Sequence, residues 1–257
     1  MLAAENKTPL LAAPLSGDAL PTGATKIAVD TLGRRIANDV YLPGQIMPTE
    51  PELAESLSVS RATIRDAIKV LSGKGLVRTA RRYGTRVRQI EEWNLLDADV
   101  VSWHEHVHPR LARIFIETTE LRLILEPAAA ELAAHRATPD QVDTILAAAR
   151  ALHPEQDDVQ TMFAADCQFH ATILDATGNR MLRQMSPLIV TMLRVSYEYG
   201  VLQQASEPFS REGHIKVAEA IQGGDGRQAK HEMALMLELN RREALATASH
   251  MNAGRRL

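Results

Sequence analysis

The sequence feature that most constrains the fold is the stretch over residues 44–88, GQIMPTEPELAESLSVSRATIRDAIKVLSGKGLVRTARRYGTRVR, because its helix signals follow one another in a definite order. Thr49 and Glu52 have the T-x-x-E spacing of a capping box, in which two side chains satisfy backbone groups at a helix start. Ser58 or Ser60 can cap a second helix. The stretch therefore predicts two short consecutive helices.

The second of these helices carries the pattern of a helix with one buried face. Ile64, Ile68 and Leu71 recur at i, i+4 and i+7. Gly73 and Gly75 follow the last of them and should end the helix. A packed helix of about three turns is expected.

A basic hairpin is predicted next. Residues 76–79 and 85–88 flank a turn at residues 82–84, and Val77 and Val87 alternate with polar or charged neighbours. This alternation favours a two-stranded wing with one face in water. Ahead of the motif, the residues from Ile27 to Val40 should form a first helix, whose apolar positions are Ile27, Leu32, Ile36 and Val40.

Charge separates this region from the rest of the chain. From residue 59 to residue 90 there are nine Lys or Arg residues against one acid, Asp66, so the segment carries +8. The whole chain carries −3, which leaves −11 for everything else. A compact basic module on an acidic body suggests contact with a polyanion; the alternative is an ordinary solvated basic surface.

DNA suits the predicted helices best. A helix fits the major groove, and residues near its N-terminus reach base edges. Arg61 lies there, whereas Arg65 and Lys69 are better placed for phosphates. The candidate DNA-contacting residues are Arg61, Thr63, Arg65, Lys69, Arg81, Arg82, Gly84, Arg34 and Arg35.

Composition sets the remaining limits. A length of 257 residues favours two domains, and 45% hydrophobic but only 4% aromatic residues suit packed helices. One cysteine, Cys167, excludes an internal disulfide and suits the cytoplasm. No apolar run is long enough for a membrane span. The expected division is a flexible arm (1–24), a winged helix-turn-helix domain (25–90), a packed connector (91–109) and a helical domain (110–250).

Six helical patterns follow residue 110, without the alternation of a sheet, so the second domain should be an all-α bundle. The patterns cover residues 111–136, 139–152, 159–177, 179–203, 209–222 and 226–248.

Several charged residues lie on these mainly apolar helices. Asp166 and His170 share a helix face, and Arg122, Arg194 and His214 lie on other helices. A buried charge is costly unless it is paired, so these residues should pair with one another or bind a charged ligand.

Other interpretations stay open for single residues. Arg122 could simply pair with Glu126, and Arg194 with Glu198. Cys167 lies one turn from His170, but no oxyanion donor accompanies the pair, so a catalytic cysteine is not expected. Three alternating histidines in the connector could suggest a metal site, but a hydrated connector is favoured; they are His104, His106 and His108.

The run PGQIMPTEPELAESLSVSRATIRDAIKVLSGKGLV…GT resembles the winged helix-turn-helix of GntR-superfamily transcription regulators. The resemblance implies that Arg61 and Arg65 contact DNA and that the wing near Arg81, Arg82 and Gly84 enters the minor groove. Many relatives carry a further DNA-contacting arginine where this chain has Pro51.

The segments ELRLILEPAAAELAA, DCQFHATILDATGN and HIKVAEAI resemble the FCD ligand-binding domain of FadR-like members of that superfamily. In many FCD domains an Asp and three His hold a divalent metal that receives a carboxylate effector. Asp166, His170 and His214 match three of those positions, and Met236 stands at the fourth. Methionine is a poor ligand for such ions. The three residues could still hold zinc or a similar metal with an open position, or bind the effector directly.

The connector WNLLDADVVSW and the missing fourth histidine resemble the galactonate-repressor branch of this family. This resemblance implies a sugar-acid effector such as an aldonate. Arg122 and Arg194 would bind its carboxylate. The residues for its hydroxyl groups would be Asp166, His170, Asn179 and His214.

The sequence thus predicts a cytoplasmic regulator that binds double-stranded operator DNA and is released by a small carboxylate. The family resemblance implies a homodimer, and a repressor is favoured over the alternative of an activator. Two alternatives remain at this point. One is a metal-dependent sugar-acid enzyme fused to a DNA-binding module. The other is an architectural DNA-binding protein without an effector.

Overall fold

A computed structural model describes residues 23–105, 108–152, 158–197 and 211–253 of the chain. These residues form two compact units, one ending at His108 and the other beginning at Pro109. No helix in the described ranges is both long and apolar enough to cross a membrane.

Three helices form the base of the N-terminal unit: α1 (Ala24–Ala37), α2 (Glu50–Ser56) and α3 (Arg61–Gly73). At the start of α2, the Glu52 carboxylate accepts hydrogen bonds from the backbone N and the hydroxyl of Thr49, each at 2.7 Å. At the start of α3, the hydroxyl of Ser60 accepts from the Thr63 backbone N at 3.0 Å. The two predicted helices are confirmed, and Ser60 is the cap of the second.

The predicted wing is also confirmed. Strand β1 (Val77–Ala80) pairs antiparallel with β2 (Gly84–Val87), and Val77 lies opposite Val87. Both valines are buried. The turn is tight, since Arg82 and Gly84 both have positive φ angles.

The first helix differs from its predicted range. It begins and ends three residues earlier than predicted, and Asp39, with a φ of 60°, turns the chain after it. Val40 therefore lies beyond the helix and is 61% exposed, while Ile27 lies within the helix on its exposed side and is 65% exposed; both were predicted to be buried. Among the residues that fill the core in their place are Ala28 and Val29.

The connector packs as a short helical segment in the N-terminal unit. It contains a 3-10 turn (Ile90–Glu92) and α4 (Ala98–Ser102), and Trp93 and Trp103 belong to the core of this unit. A Cβ at Gly33 would lie 2.5 Å from the Trp103 ring, so only glycine permits this approach.

Of the connector histidines, His104 is not hydrated as predicted. His104 is buried, and its Nδ1 lies 3.0 Å from the carbonyl oxygen of Val100. His108 Nε2 lies 3.1 Å from Asp39 Oδ2. His106 falls outside the described residues. Tight packing of the tryptophans draws this segment out of water.

Gly75, where the chain leaves α3, offers a test of this packing. Its φ is +79°, and an added Cβ would overlap the carbonyl oxygen of Glu92, which is backbone and cannot swing aside. Gly75→Ala should therefore lower the unfolding free energy of the N-terminal unit by about 2–4 kcal/mol. Gly73→Ala is the matched control, because nothing lies within 4 Å of its added Cβ. Urea denaturation that finds equal stability for the two variants would contradict this packing.

The described part of the C-terminal unit is all-α, as predicted. It contains α5 (Pro109–Arg136), α6 (Pro139–Arg150), α7 (Val159–Ala176), α8 (Arg180–Arg183), α9 (Ser186–Val195), α10 (Arg211–Gln222) and α11 (Gly226–Ala253). Helix α5 packs along α11, while α7 lies against α5, α6 and α9.

One predicted helix of this unit is in fact two. The pattern at 179–203 divides into α8 and α9, and Pro187 stands in the first turn of α9. Proline suits a helix start because it has no backbone N–H to donate. Residues 198–203 of the predicted range lie outside the described residues.

Candidate functional site

Helix α3 presents its basic residues to solvent. Arg61 is its first residue, and Arg61, Arg65 and Lys69 are all exposed. Arg65 Nη2 lies 3.0 Å from Glu50 Oε2, and Lys69 Nζ lies 3.0 Å from an Asp66 oxygen. Exposed pairs of this kind are weak, so both cations can exchange their partners for phosphates.

The wing and α1 carry the other candidate DNA-contacting residues. Arg81, Arg82 and Gly84 are exposed at the turn of the wing. Arg34 is exposed on α1, whereas Arg35 is half-buried and donates to the Tyr41 hydroxyl at 3.4 Å. Thr63 is half-buried, and its backbone takes part in the cap of α3.

The C-terminal unit buries a cluster of five ionisable side chains, which we call the polar cluster. Its members come from three helices and are each at most 2% exposed: Arg122 and Glu126 of α5, Asp166 and His170 of α7, and His214 of α10.

Asp166 joins the two histidines of the polar cluster. Its Oδ1 lies 3.0 Å from His214 Nε2 and 3.2 Å from His170 Nε2. Arg122 Nη2 lies 3.1 Å from the same His170 nitrogen. The structure therefore brings the predicted pair Asp166 and His170 together with Arg122 and His214, which the sequence placed on other helices.

Glu126 is the member that sequence reasoning missed as a site residue. Arg122 Nε donates to its Oε1 at 2.6 Å, and His170 Nδ1 lies 2.5 Å from its Oε2. The i, i+4 spacing from Arg122 did indicate the ion pair. Nothing in the sequence indicated the contact with His170.

The local charges outweigh burial in the polar cluster. Burial alone would raise the pKa of Glu126, but Arg122 and His170 lower that pKa to about 2. Asp166 likewise has a pKa well below its ordinary value, because the two histidines overcome the effect of burial. Burial would lower the pKa of His170, yet the charge of Glu126 raises it. Both carboxylates therefore stay ionised at neutral pH.

Cys167 lies beside this cluster but is not activated. Burial and the negative charge of Asp166 raise the pKa of its thiol to about 12. A thiol of this kind stays protonated and is a poor nucleophile.

Three further residues were of interest. Arg194 of α9 is buried, with its guanidinium 5.6 Å from the Phe163 ring centroid, and its charge acts on Cys167 beside the cluster. Its suggested partner Glu198 lies outside the described residues. Asn179 is exposed and accepts from the Met181 backbone N at 2.9 Å as the cap of α8, so the structure does not bring it into the buried cluster.

The residues at the centre of the cluster fit a divalent metal. Asp166, His170 and His214 each offer one ligand atom, and these atoms all lie within 4.8 Å of one another. One carboxylate and two imidazoles form a donor set suited to zinc or a similar ion. Met236 is buried and faces Gly213, the residue before His214, so the fourth family position offers only a thioether.

Comparisons with known proteins agree with both units. The family model of bacterial regulatory proteins of the gntR family matches residues 25–87. The model of the FCD domain matches residues 117–239.

Relatives of similar length match most of the chain. The galactonate operon transcriptional repressor of Escherichia coli (strain K12) is 32% identical over 212 residues, which are 81% of this chain and 91% of the relative. The HTH-type transcriptional regulator LutR of Bacillus subtilis (strain 168) is 28% identical over 206 residues, 77% of this chain and 90% of LutR. These relatives are transcriptional regulators, not enzymes.

A solved structure shows the same fold at low sequence identity. The chain covers 99% of Lar, a protein that controls expression of the agr system of Listeria monocytogenes, with 89% of this chain aligned, 16% identity and a TM-score of 0.64. The chain therefore belongs to the gntR family of bacterial regulatory proteins, and it is a transcriptional regulator that combines a winged helix-turn-helix with an FCD domain.

Proposed function

We propose that this regulator represses a sugar-acid catabolic operon in the cytoplasm and leaves its operator when a small carboxylate, an aldonate such as galactonate, binds the polar cluster. The observation that carries this proposal is the cluster itself. Replacing a buried ion pair by well-packed apolar residues is often neutral or stabilising, so five buried charged or ionisable side chains favour a role beyond stability. The E. coli relative named for the galactonate operon supports an aldonate as the effector class.

The chemistry of the cluster suits a polyhydroxy acid. Arg122 and Arg194 are buried cations that can bind a carboxylate, and a guanidinium does so with two parallel hydrogen bonds. Asp166, His170 and His214 offer acceptors and donors for hydroxyl groups. Asn179 would have to leave its capping role to take part.

We also propose that Asp166, His170 and His214 hold a divalent metal, zinc or a similar ion. When bound, the ion would supply a Lewis-acidic position for the effector carboxylate. These three residues would orient the effector with or without a metal, because the effector would contact either their side chains or the ion that they hold.

Control of DNA binding would follow from a population shift. Two copies of the chain, each with one winged domain on one half-site, would bind a pseudo-palindromic operator. The effector must favour one arrangement of the winged domains over another. If that arrangement misaligns the two half-sites, DNA is released.

A thermal-shift screen of aldonates, with and without chelator, tests the ligand proposal. A ligand that binds only the folded chain at 100 times its Kd stabilises that chain by about 2.7 kcal/mol. We expect a stabilising aldonate that returns chemically intact. If no sugar acid raises the melting temperature, the effector class is wrong; if the protein consumes the ligand, the enzyme alternative returns.

The metal proposal predicts a gain of affinity from one substitution. Met236→His restores the fourth ligand of the family pattern at a buried position, so affinity for Co²⁺ should rise at least about tenfold. Leu235→His, on the exposed neighbour, is the matched control. Isothermal titration that gives both variants the affinity of the unsubstituted chain would count against a metal at this position.

A further inference from the structure

We infer that Glu126 is the positioning residue of the effector site: its single carboxylate fixes both the arginine and the histidine that meet the ligand. The inference rests on the proposed function, because it concerns how the polar cluster is held ready for an effector or a metal. Glu126 is not among the positions that the family resemblance implies for metal or effector binding, and its role follows from its contacts.

Each oxygen of Glu126 has a different principal partner. Oε1 accepts from Arg122 Nε at 2.6 Å, and Oε2 lies 2.5 Å from His170 Nδ1. Glu126 is 2% exposed, so no water competes strongly for either oxygen. The two partners come from different helices, α5 and α7, and one carboxylate therefore ties these helices together at the site.

The contact with His170 sets the direction of its ring. Nδ1 is in ion contact with Glu126 Oε2, and on the other side of the ring Nε2 faces Asp166 Oδ1 at 3.2 Å, the oxygen that also contacts His214. A carboxylate on the distal nitrogen of a ligating histidine fixes its tautomer and raises its basicity. If Glu126 were lost, the ring could rotate and direct its other nitrogen to the centre.

The contact with Arg122 sets the direction of the guanidinium. Glu126 engages Nε at 2.6 Å and Nη2 at 3.4 Å, which is one edge of the planar group. A guanidinium carries five donors in a fixed fork, so this pairing directs the Nη1 donors away from Glu126. Arg122 is thereby held ready to bind an anion with little loss of side-chain entropy on binding.

Glu126→Gln tests these two positioning roles without changing the volume of the side chain. The amide matches the carboxylate in shape but is uncharged and has one oxygen, so it cannot present an oxygen to both Arg122 and His170. Glu117→Gln is the matched control, because Glu117 also lies on α5 and also pairs with an arginine, Arg113, but in solvent.

The first measurement uses Co²⁺ alone as the probe on the full-length chain. Calorimetry below the melting temperature of each variant, with the visible spectrum of bound Co²⁺, reports affinity and ligand geometry in folded protein. Glu126→Gln should weaken Co²⁺ binding about 10- to 100-fold and alter the spectrum, while Glu117→Gln should match the parent chain. A merely structural Glu126 would lower stability but leave affinity and spectrum unchanged, and that result would overturn the inference.

If the parent chain binds no Co²⁺, only the metal proposal is refuted. A second measurement then tests the positioning role of Glu126. Proton–nitrogen NMR of the metal-free chain should show His170 ring-nitrogen signals that shift in Glu126→Gln and match the parent chain in Glu117→Gln. Glu126→Asp, which keeps the charge but is too short to reach both partners, replaces Glu126→Gln if the latter does not fold. A His170 ring signal that is the same in all variants would overturn the inference.

Discussion

Arg122→Ala should lower the free energy of unfolding of the C-terminal unit by about 3–5 kcal/mol. The substitution removes the cation that faces the buried Glu126 carboxylate at 2.6 Å and leaves that charge without its main partner. Arg122 is itself among the largest fully buried side chains of the chain, so its loss also leaves a cavity. Urea unfolding followed by circular dichroism measures the loss.

The matched control for this substitution lies on the same helix. Arg113 also pairs with a glutamate four residues later, at 2.8 Å, but its side chain is 82% exposed. Arg113→Ala should therefore change stability by less than about 0.5 kcal/mol. Equal losses for the two variants would show that burial does not govern the cost of breaking these pairs, against the electrostatic description of the cluster.

Operator affinity should fall by about 10³–10⁵ between 50 and 200 mM salt if six to ten phosphates are contacted. The segment from residue 59 to residue 90 holds nine basic residues; Lys74 is paired with Asp97 and Asp99, which leaves eight for such contacts. The salt dependence arises because every neutralised phosphate releases condensed counterions. Fluorescence anisotropy with a labelled operator, selected from random DNA, measures it. An operator affinity that does not change with salt would contradict the proposal that the basic residues of the winged domain bind phosphates.

Among the exposed arginines of the winged domain, Arg61 should contribute to sequence specificity rather than only to overall affinity. It is exposed at the first position of α3, where a guanidinium can bind a guanine edge. Arg61→Ala should cost about 1–3 kcal/mol of specific binding, with the loss confined to one base pair. Arg227→Ala, which removes an exposed arginine from the C-terminal unit, is the control. A loss that is uniform across DNA sequences would make Arg61 a phosphate contact.

Local signals explain why the winged unit was predictable from sequence. Its helices begin at side chains that cap their own backbone, as Ser60 does for Thr63, and such contacts span only three residues. Its strands show their buried face by simple alternation, as at Val77 and Val87. Leu32 and Ile36 are buried as predicted, but Val40 lies beyond the end of the helix and Ile27 lies on its exposed side.

The polar cluster could be predicted only in part, because its geometry is tertiary. Asp166 and His170 share a helix turn and were found together. The contacts of His170 with Arg122, and of His214 with Asp166, each join residues 48 positions apart. Glu126 could be paired with Arg122 by spacing, but its contact with His170 depends on how α5 packs against α7.

Asn179 is a residue for which a local contact, rather than a tertiary one, stands against the sequence prediction. Asn179 was predicted to bind a hydroxyl of a sugar-acid effector, whereas its local role as a helix cap places it at the surface. Capping uses the same side-chain oxygen that a ligand would need. A sequence pattern can therefore suggest a ligand-binding role for a residue whose side chain is already used to cap a helix.

The most direct test measures operator affinity of the full-length chain with and without galactonate, at fixed salt and with metal supplied. Coupling energies between two sites are typically 1–3 kcal/mol, so the ligand should weaken operator binding about 5- to 150-fold. Arg122→Lys, which keeps the charge but not the fork that grips a carboxylate, should bind the operator and respond far less. Unchanged operator affinity across the sugar acids that bind the protein would contradict the claim that the polar cluster controls the winged domain.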